Sequence, residues 1–467
     1  MRDLSDRANH AFSHFLPLPR APYFVEGASM AKATVNQRLE SNRFSGALAP
    51  LNNPNYRLLL LGFAIGQMIM PLQFITQILW VQHFAPADIW LILVALIAAC
   101  RGLGAFCFGL YGGALADRFN RKHLLIFILV LQMIGTLLIA ALMMAGDGSA
   151  LSFVLFFVMT FLTSGLQSID APTRLALLPD VVGPALTPAG MSLNQVAGQV
   201  AMPLAMMMTG FLIHQFDFGG AYLISALGLA SAALFILVMP YTPEAGQVTA
   251  KKGDRYGLSE AVSDIRIGLG FARHHPVILW LIVLLVVMMS FAYPPTASFG
   301  PTWVTTVVEV PIRDMGFVVM FWGVGSLAGA VLMARLASFE RRGLLIGIGA
   351  VLFSIGFLMF VAGYQVWNVV LGNTILGMGM TMTMVSSTIL IQHLAPNEVR
   401  GRVMSIFQLN MAFAQLMTMP VALLGQWLTL QVLFPWLAVM TLAMVTLILV
   451  TQRQIIRSQI PRVEASV

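Results

Sequence analysis

The 467 residues are 58% apolar and only 10% charged, whereas a soluble domain carries about 25% charged residues. A water-soluble fold is excluded, and the chain reads as a polytopic membrane protein. The formal net charge of +7 is therefore first a question of sidedness across a bilayer, and no nucleic-acid partner is expected.

In chain order, residues 1–56 are mixed polar with scattered Pro and lack the charged, apolar and small-residue succession of a secretory signal. They read as a disordered cytoplasmic tail, within which Met30-Ala31-Lys32 offers an alternative start. Runs long enough to cross ~30 Å of hydrocarbon as helix follow at 57–82, 89–115, 122–145, 151–173, 188–214 and 219–240. Six more lie at 277–301, 315–337, 343–363, 367–392, 402–425 and 430–451. The expected fold is all-α and integral to the membrane, with twelve transmembrane helices in two pseudo-symmetric halves of six, 57–240 and 276–452. The break at 241–275 is rich in charge and reads as a cytoplasmic linker, and 453–467 as a cytoplasmic C-terminal tail. Within the linker, 258–271 has the apolar spacing of a helix lying on the membrane surface. Cys100 and Cys107 are seven residues apart, about 10 Å along a helix and beyond disulfide reach.

Counting Lys and Arg orients the bundle. With the N-terminus inside, 24 of 26 fall on the cytoplasmic side, as the positive-inside rule requires. Arg313 falls outside, and Arg101 lies inside a span. An internal repeat supports the two halves. A shift of 220 residues carries Gly109, Phe119, Arg121, Lys122, Leu124 and Leu125 onto Gly329, Phe339, Arg341, Arg342, Leu344 and Leu345. A second echo joins Leu178-Pro179-Asp180 with Ala395-Pro396-Asn397. Paired halves with substrate between them are the arrangement of transporters built from repeats.

The sharpest local signal is Gly113-Ala114-Leu115-Ala116-Asp117-Arg118-Phe119-Asn120-Arg121-Lys122, where spans two and three meet the cytoplasm. It resembles the loop signature of the major facilitator superfamily: glycine, Asp-Arg, a second glycine and two basic residues. Asn120 stands where the second glycine is usual, and Asn tolerates a left-handed turn better than other residues. The resemblance implies that Asp117 rests against the start of span eleven, near Arg400, and closes the cytoplasmic side. Asp170 and Arg174 are spaced to pair on a helix, although Pro172 between them is a potential break. Gly113, Asp117, Arg118, Arg121, Lys122, Asp170, Arg174 and Arg400 are thus read as a cytoplasmic latch, against the alternative of separate surface charges. The segment Gln392, Leu394-Ala395-Pro396, Glu398 and Arg400 to Ser405 is similar to the enterobactin-exporter and macrolide-efflux branch of the superfamily. Drug antiporters of the superfamily carry small residues around a Gly-Pro pair in span five. Gly198, Pro203 and Gly210 fit that register, but Met202, Met206, Met207 and Met208 are too bulky for a tight helix contact and point to core filling or an adaptable apolar cavity.

Arg101, near the middle of span two, costs at least ~2.5–3.5 kcal/mol on insertion and must face the bundle interior or a watery cavity. It is the first candidate for binding an anionic or polar substrate group, the alternative being a structural anchor to carbonyls. Gln73, Gln77, Gln195, Gln199, Gln408 and Gln415 suit hydrogen bonding to a neutral or amphiphilic solute, or interhelical bonding. The resemblance implies that spans one, five, seven and eleven line the pathway. No midspan carboxylate offers itself as proton carrier. No His-Glu-x-x-His and no Gly-Lys-[Ser/Thr] phosphate loop occurs, so neither enzymatic activity, a metal nor a cofactor is expected. The reading is a monomeric secondary transporter of the bacterial-type inner membrane, exporting a small apolar or amphiphilic, drug- or siderophore-like molecule by antiport driven by the proton gradient. An uptake symporter and a receptor-like member that transports nothing are the alternatives.

Overall fold

The computed structural model describes residues 46, 48–146, 148–240 and 258–459. The expected tails and linker, as far as they fall in 1–45, 241–257 and 460–467, lie outside the described residues. At Gly113, Asp117, Arg118 and Gln408 the helical backbone is described and the side chain is not.

In hydrocarbon every backbone amide must be paired within its own segment, so apolar runs of this length become helices. They are α1 (Pro54–Phe84), α2 (Trp90–Arg118), α3 (Arg121–Ala145), α4 (Ala150–Val182) and α5 (Thr187–Val238). After α6 (Leu258–His274) come α7 (Pro276–Tyr293), α8 (Ile312–Arg335), α9 (Arg342–Val361), α10 (Val366–Leu394), α11 (Asn397–Trp427) and α12 (Leu430–Thr451). Ten helices among the described residues are long and apolar enough to span a membrane. One of them, α5, is 52 residues long and turns at Asp217, whose φ of 57° leaves the helical region, so it holds the expected spans five and six. The 31-residue α11 is also long enough to cross, its composition made more polar by Asn397, Arg400, Arg402, Gln408, Asn410 and Gln415. With α5 counted as two spans and α11 added, twelve is the consistent number.

Local chemistry sets the ends. Asn53 caps α1 by accepting from the Asn55 amide at 2.9 Å, with Pro54 at the first helical position. Asn120 caps α3 in the same way, Oδ1 accepting from the amides of Lys122 and His123 at 3.0 and 3.3 Å. Its φ of −58° corrects the left-handed turn expected there: the loop needs a capping acceptor rather than a glycine-like backbone. Pro172 does not break α4, which runs unbroken through it and Pro179. Span seven, in contrast, is regular only to Tyr293. Pro294, Pro295 and Pro301 lack the amide hydrogen that a regular helix needs, and the chain continues in π-type turns at Pro294–Ser298 and Trp303–Val307.

The repeat has a structural counterpart. Gly109 of α2 faces Ser168 of α4, a Cβ there lying 3.5 Å from its Oγ, and Gly329 of α8 faces Met378 and Thr381 of α10. Equivalent glycines let equivalent helices approach in each half. Across the halves, α5 packs on α8 and α2 on α11. The α5–α8 contact corrects the reading of the methionines. Gly316 of α8 sits against the carbonyls of Met206 and Met207, and Gly323 against Pro203, where a Cβ would lie 2.8 Å from the Pro203 Cβ. Beside the methionines and Pro203 the small residues come from α8, and Gly210 of α5 adds one more against Ile312 and Gly316, so the bulky side chains on α5 do not prevent close approach. The surface helix expected at 258–271 forms α6 and leans on α11, where a Cβ at Gly268 would lie 3.0 Å from the Arg402 carbonyl.

Candidate functional site: a central cavity of two chambers

A cavity of about 560 Å³ opens between α1, α2, α3, α4 and the first part of α5, and reaches Tyr293 of α7 and Met411 and Gln415 of α11. Its polar wall includes Gln67, Arg101, Gln132, Gln167, Asn194 and Gln195. Among the described residues Arg101 meets only neutral partners. Its guanidinium donates to Gln77 Oε1 at 3.4 Å and Gln167 Oε1 at 3.5 Å, and its Cζ lies 5.2 Å from the centroid of the Phe74 ring, within cation–π range. These hydrogen bonds are at the long limit of what the geometry allows, so the charge is oriented more than it is satisfied.

The Gln77 side chain, 1% exposed, is itself held by Thr160 and by Tyr222, to whose hydroxyl its Nε2 donates at 2.8 Å. Gln77 therefore positions Arg101 and does not line the cavity. Gln73 donates to Thr136 Oγ1 at 3.1 Å and is likewise turned to a neighbouring helix. Of the amides singled out from sequence, Gln195 and Gln415 line the cavity and Gln199 is not part of its wall. Two of the polar lining residues carry little signal in the sequence. Gln132 stands alone in an apolar run, and Tyr293 is marked only by the two prolines that follow it.

A second chamber of about 180 Å³ adjoins the first, sharing Met70, Phe74, Tyr293 and Met411 with it. Its wall includes Met202, Met206, Met289, Trp322 and Phe353, so two of the span-five methionines line an apolar cavity, while Met207 and Met208 are exposed and belong to neither wall.

The end of the bundle carrying the α1–α2 turn is closed by contacts between the halves. Thr302 donates to Gln82 Oε1 at 2.9 Å, and Gln426 Nε2 to the Asp88 carbonyl at 2.9 Å. A side chain added at Gly210 of α5 would strike the backbone of Ile312 and Gly316. Toward the opposite end, Arg174 Nε donates to both oxygens of Asp170, at 2.8 and 3.0 Å. Arg121 reaches both oxygens of Asp180 at 2.8 and 3.0 Å and the Ala176 carbonyl at 3.1 Å. Lys122 donates to the Met239 carbonyl at 2.6 Å, and Arg400 to the Ala395 carbonyl at 3.3 Å. Asp170 and Arg174 are thus brought together beside the cavity, and Arg121 is tied to α4 through Asp180, a pairing that no sequence spacing announces.

A valine at Gly316 would collide with the Met207 carbonyl, and overpacking of this kind costs about 1–3 kcal/mol. Gly316→Val is expected to insert normally but to transport poorly, measured as rate per protein in membranes, while Gly270→Val, a position with open space around it, should behave as wild type.

Two facing sets of helices around a central cavity, closed at one end, define the class: a membrane transporter. Residues 56–419 match the sequence profile of the Major Facilitator Superfamily, and the chain belongs to that family. The hexose transporters HXT13 and HXT17 of Saccharomyces cerevisiae are each 31% identical to it over 100 residues. That stretch is 21% of this chain and spans 18% of the yeast proteins' length. Among solved structures, a variant of the nucleoside transporter NupG superposes with a TM-score of 0.66 at 14% identity, covering 86% of this chain and 100% of that one. A peptide transporter POT variant in complex with sulfate gives 0.66 at 13% identity, covering 87% and 96%. At these identities the likeness is one of fold.

Proposed function

We propose that the chain is a secondary exporter that carries a small apolar or amphiphilic molecule from the cytoplasm by alternating access, driven by the proton gradient, within the enterobactin-exporter and macrolide-efflux branch. The observation that carries this reading is the cavity itself: an uncompensated cation and several amides at a depth where charge is expensive, beside a methionine-lined apolar chamber able to adapt to varied shapes. Export fits a cavity closed at the α1–α2 end, which the Lys and Arg count assigns to the outside. In that orientation both termini are cytoplasmic, the membrane is the bacterial inner membrane, and one chain contains the whole pathway. Asp117, Arg118, Asp170, Arg174, Arg121 and Arg400 act at the cytoplasmic side as the latch between access states. With no midspan carboxylate, proton exchange runs through Asp170 at the cavity wall or through the substrate's own ionisation.

The test is substrate accumulation in energised inside-out vesicles. Gradient-dependent uptake above vesicles lacking the protein is expected, and uptake only in right-side-out vesicles would instead establish an importer. Sidedness is checked separately in a background with Cys100 and Cys107 replaced by Ala. Asp217→Cys should react with impermeant reagents in intact cells and Ser338→Cys should not, and the reverse pattern refutes the orientation.

A further inference from the structure

We propose that the two chambers form one binding site for an amphiphilic organic anion, its charged head on Arg101 and its apolar tail in the methionine-lined chamber. This deepens the transport reading and rests on it.

The charge balance of the wall supports the head group. Its charged residues are Arg101, Asp170 and Arg174, and Asp170 gives both carboxylate oxygens to Arg174. Arg101 is left with two glutamine oxygens at 3.4 and 3.5 Å and an aromatic face. A guanidinium has five N–H donors, so at least three remain for a ligand in the planar fork that grips two oxygens at once. A cation meets repulsion here, and a neutral solute leaves the membrane-buried charge of Arg101 unanswered.

Continuity supports the tail. Phe74 presents its face to Arg101 and lines both chambers, and Met70, Tyr293 and Met411 stand beside it at the junction. A chain attached to a head group on Arg101 therefore passes over Phe74 into a space whose wall is almost wholly apolar, where burying each methylene is favourable. A hydrophilic anion would leave that chamber unused. The site asks for both parts in one molecule.

The probes are a ten-carbon alkyl sulfonate bearing a terminal bromine and the trimethylammonium compound with the same brominated tail, tested on the full-length protein in proteoliposomes. Bromine at the tail end quenches Trp322, which lines the apolar chamber, and the signal is the difference between wild type and Trp322→Phe. The sulfonate is expected to bind about tenfold or more tightly than the ammonium compound, the effect of a charge-assisted hydrogen bond. Arg101→Gln should remove that preference. Ala297→Phe, which fills part of the apolar chamber, should shift the preference toward shorter-tailed sulfonates without reversing the head-group preference. Equal binding of the two head groups, or an unchanged preference in Arg101→Gln, overturns the proposal. Counterflow of the labelled sulfonate in the same vesicles separates the two claims. Binding with Arg101-dependent selectivity but no counterflow leaves the substrate class standing and refutes transport, whereas counterflow indifferent to head group leaves transport standing and refutes the class.

Discussion

Arg101→Gln is expected to abolish transport while the protein remains folded in the membrane at wild-type levels. Glutamine keeps a hydrogen-bond donor beside Gln77 and Gln167 but removes a cation of the wall that, among the described residues, no carboxylate neutralises. Insertion itself should become easier, because a charge at that depth costs at least ~2.5–3.5 kcal/mol. A loss of activity alongside undiminished stability is the signature of a binding role, since a structural anchor would fail in both. Arg101→Lys keeps the charge without the planar fork, and partial activity is expected of it. Initial rates in vesicles matched for protein decide the matter. A fully active glutamine variant would show that Arg101 only holds the helices together.

Asp170→Asn is expected to destabilise the protein by about 2–3 kcal/mol, below the full cost of orphaning a buried charge because the Asp170 side chain keeps 21% exposure against 7% for Arg174. The partner left behind is the reason. Among the described residues Arg174 Nη1 already lacks an acceptor, and Nε has none except Asp170. Removing the carboxylate strands a guanidinium against α1, near Gly62. Adding Arg174→Gln to the Asp170→Asn variant should recover most of the loss, because two neutral amides can bond each other where a lone cation cannot. Thermal unfolding in detergent measures both effects. A single variant as stable as wild type would mean that the pair contributes nothing to holding α4 in place.

The elements that sequence reveals well here are those governed by one-dimensional rules. Hydropathy finds the spans because lipid exposure acts on each helix separately, and the shift that matches Gly109 to Gly329 finds the halves because each glycine serves the same helix contact in its own half. What it misses depends on side-chain direction and on pairs far apart in the chain. Gln73 and Gln77 lie on one face of α1, yet that face looks toward Thr136, Thr160 and Tyr222 and not into the cavity. The partner of Arg121 is Asp180, in α4, and no spacing rule connects them. The methionines of α5 suggested a loose helix contact only because the compensating glycines, Gly316 and Gly323, sit on another helix. The sequence shows the backbone tolerance of Asn120, whereas its role is that of a cap carried by the side chain.

Alternating access is tested most directly by locking the closed end. Cysteines at Gln82 and Thr302, whose side chains are hydrogen-bonded at 2.9 Å, should cross-link in a background with Cys100 and Cys107 replaced by Ala. The cross-linked protein should transport nothing and recover on reduction. A parallel variant that also carries Gln195→Cys should remain open to labelling from the cytoplasmic side while cross-linked and closed to labelling from the outside. Full-rate transport by the cross-linked protein would contradict the account, because it would mean that the substrate crosses without the two halves ever parting at that end.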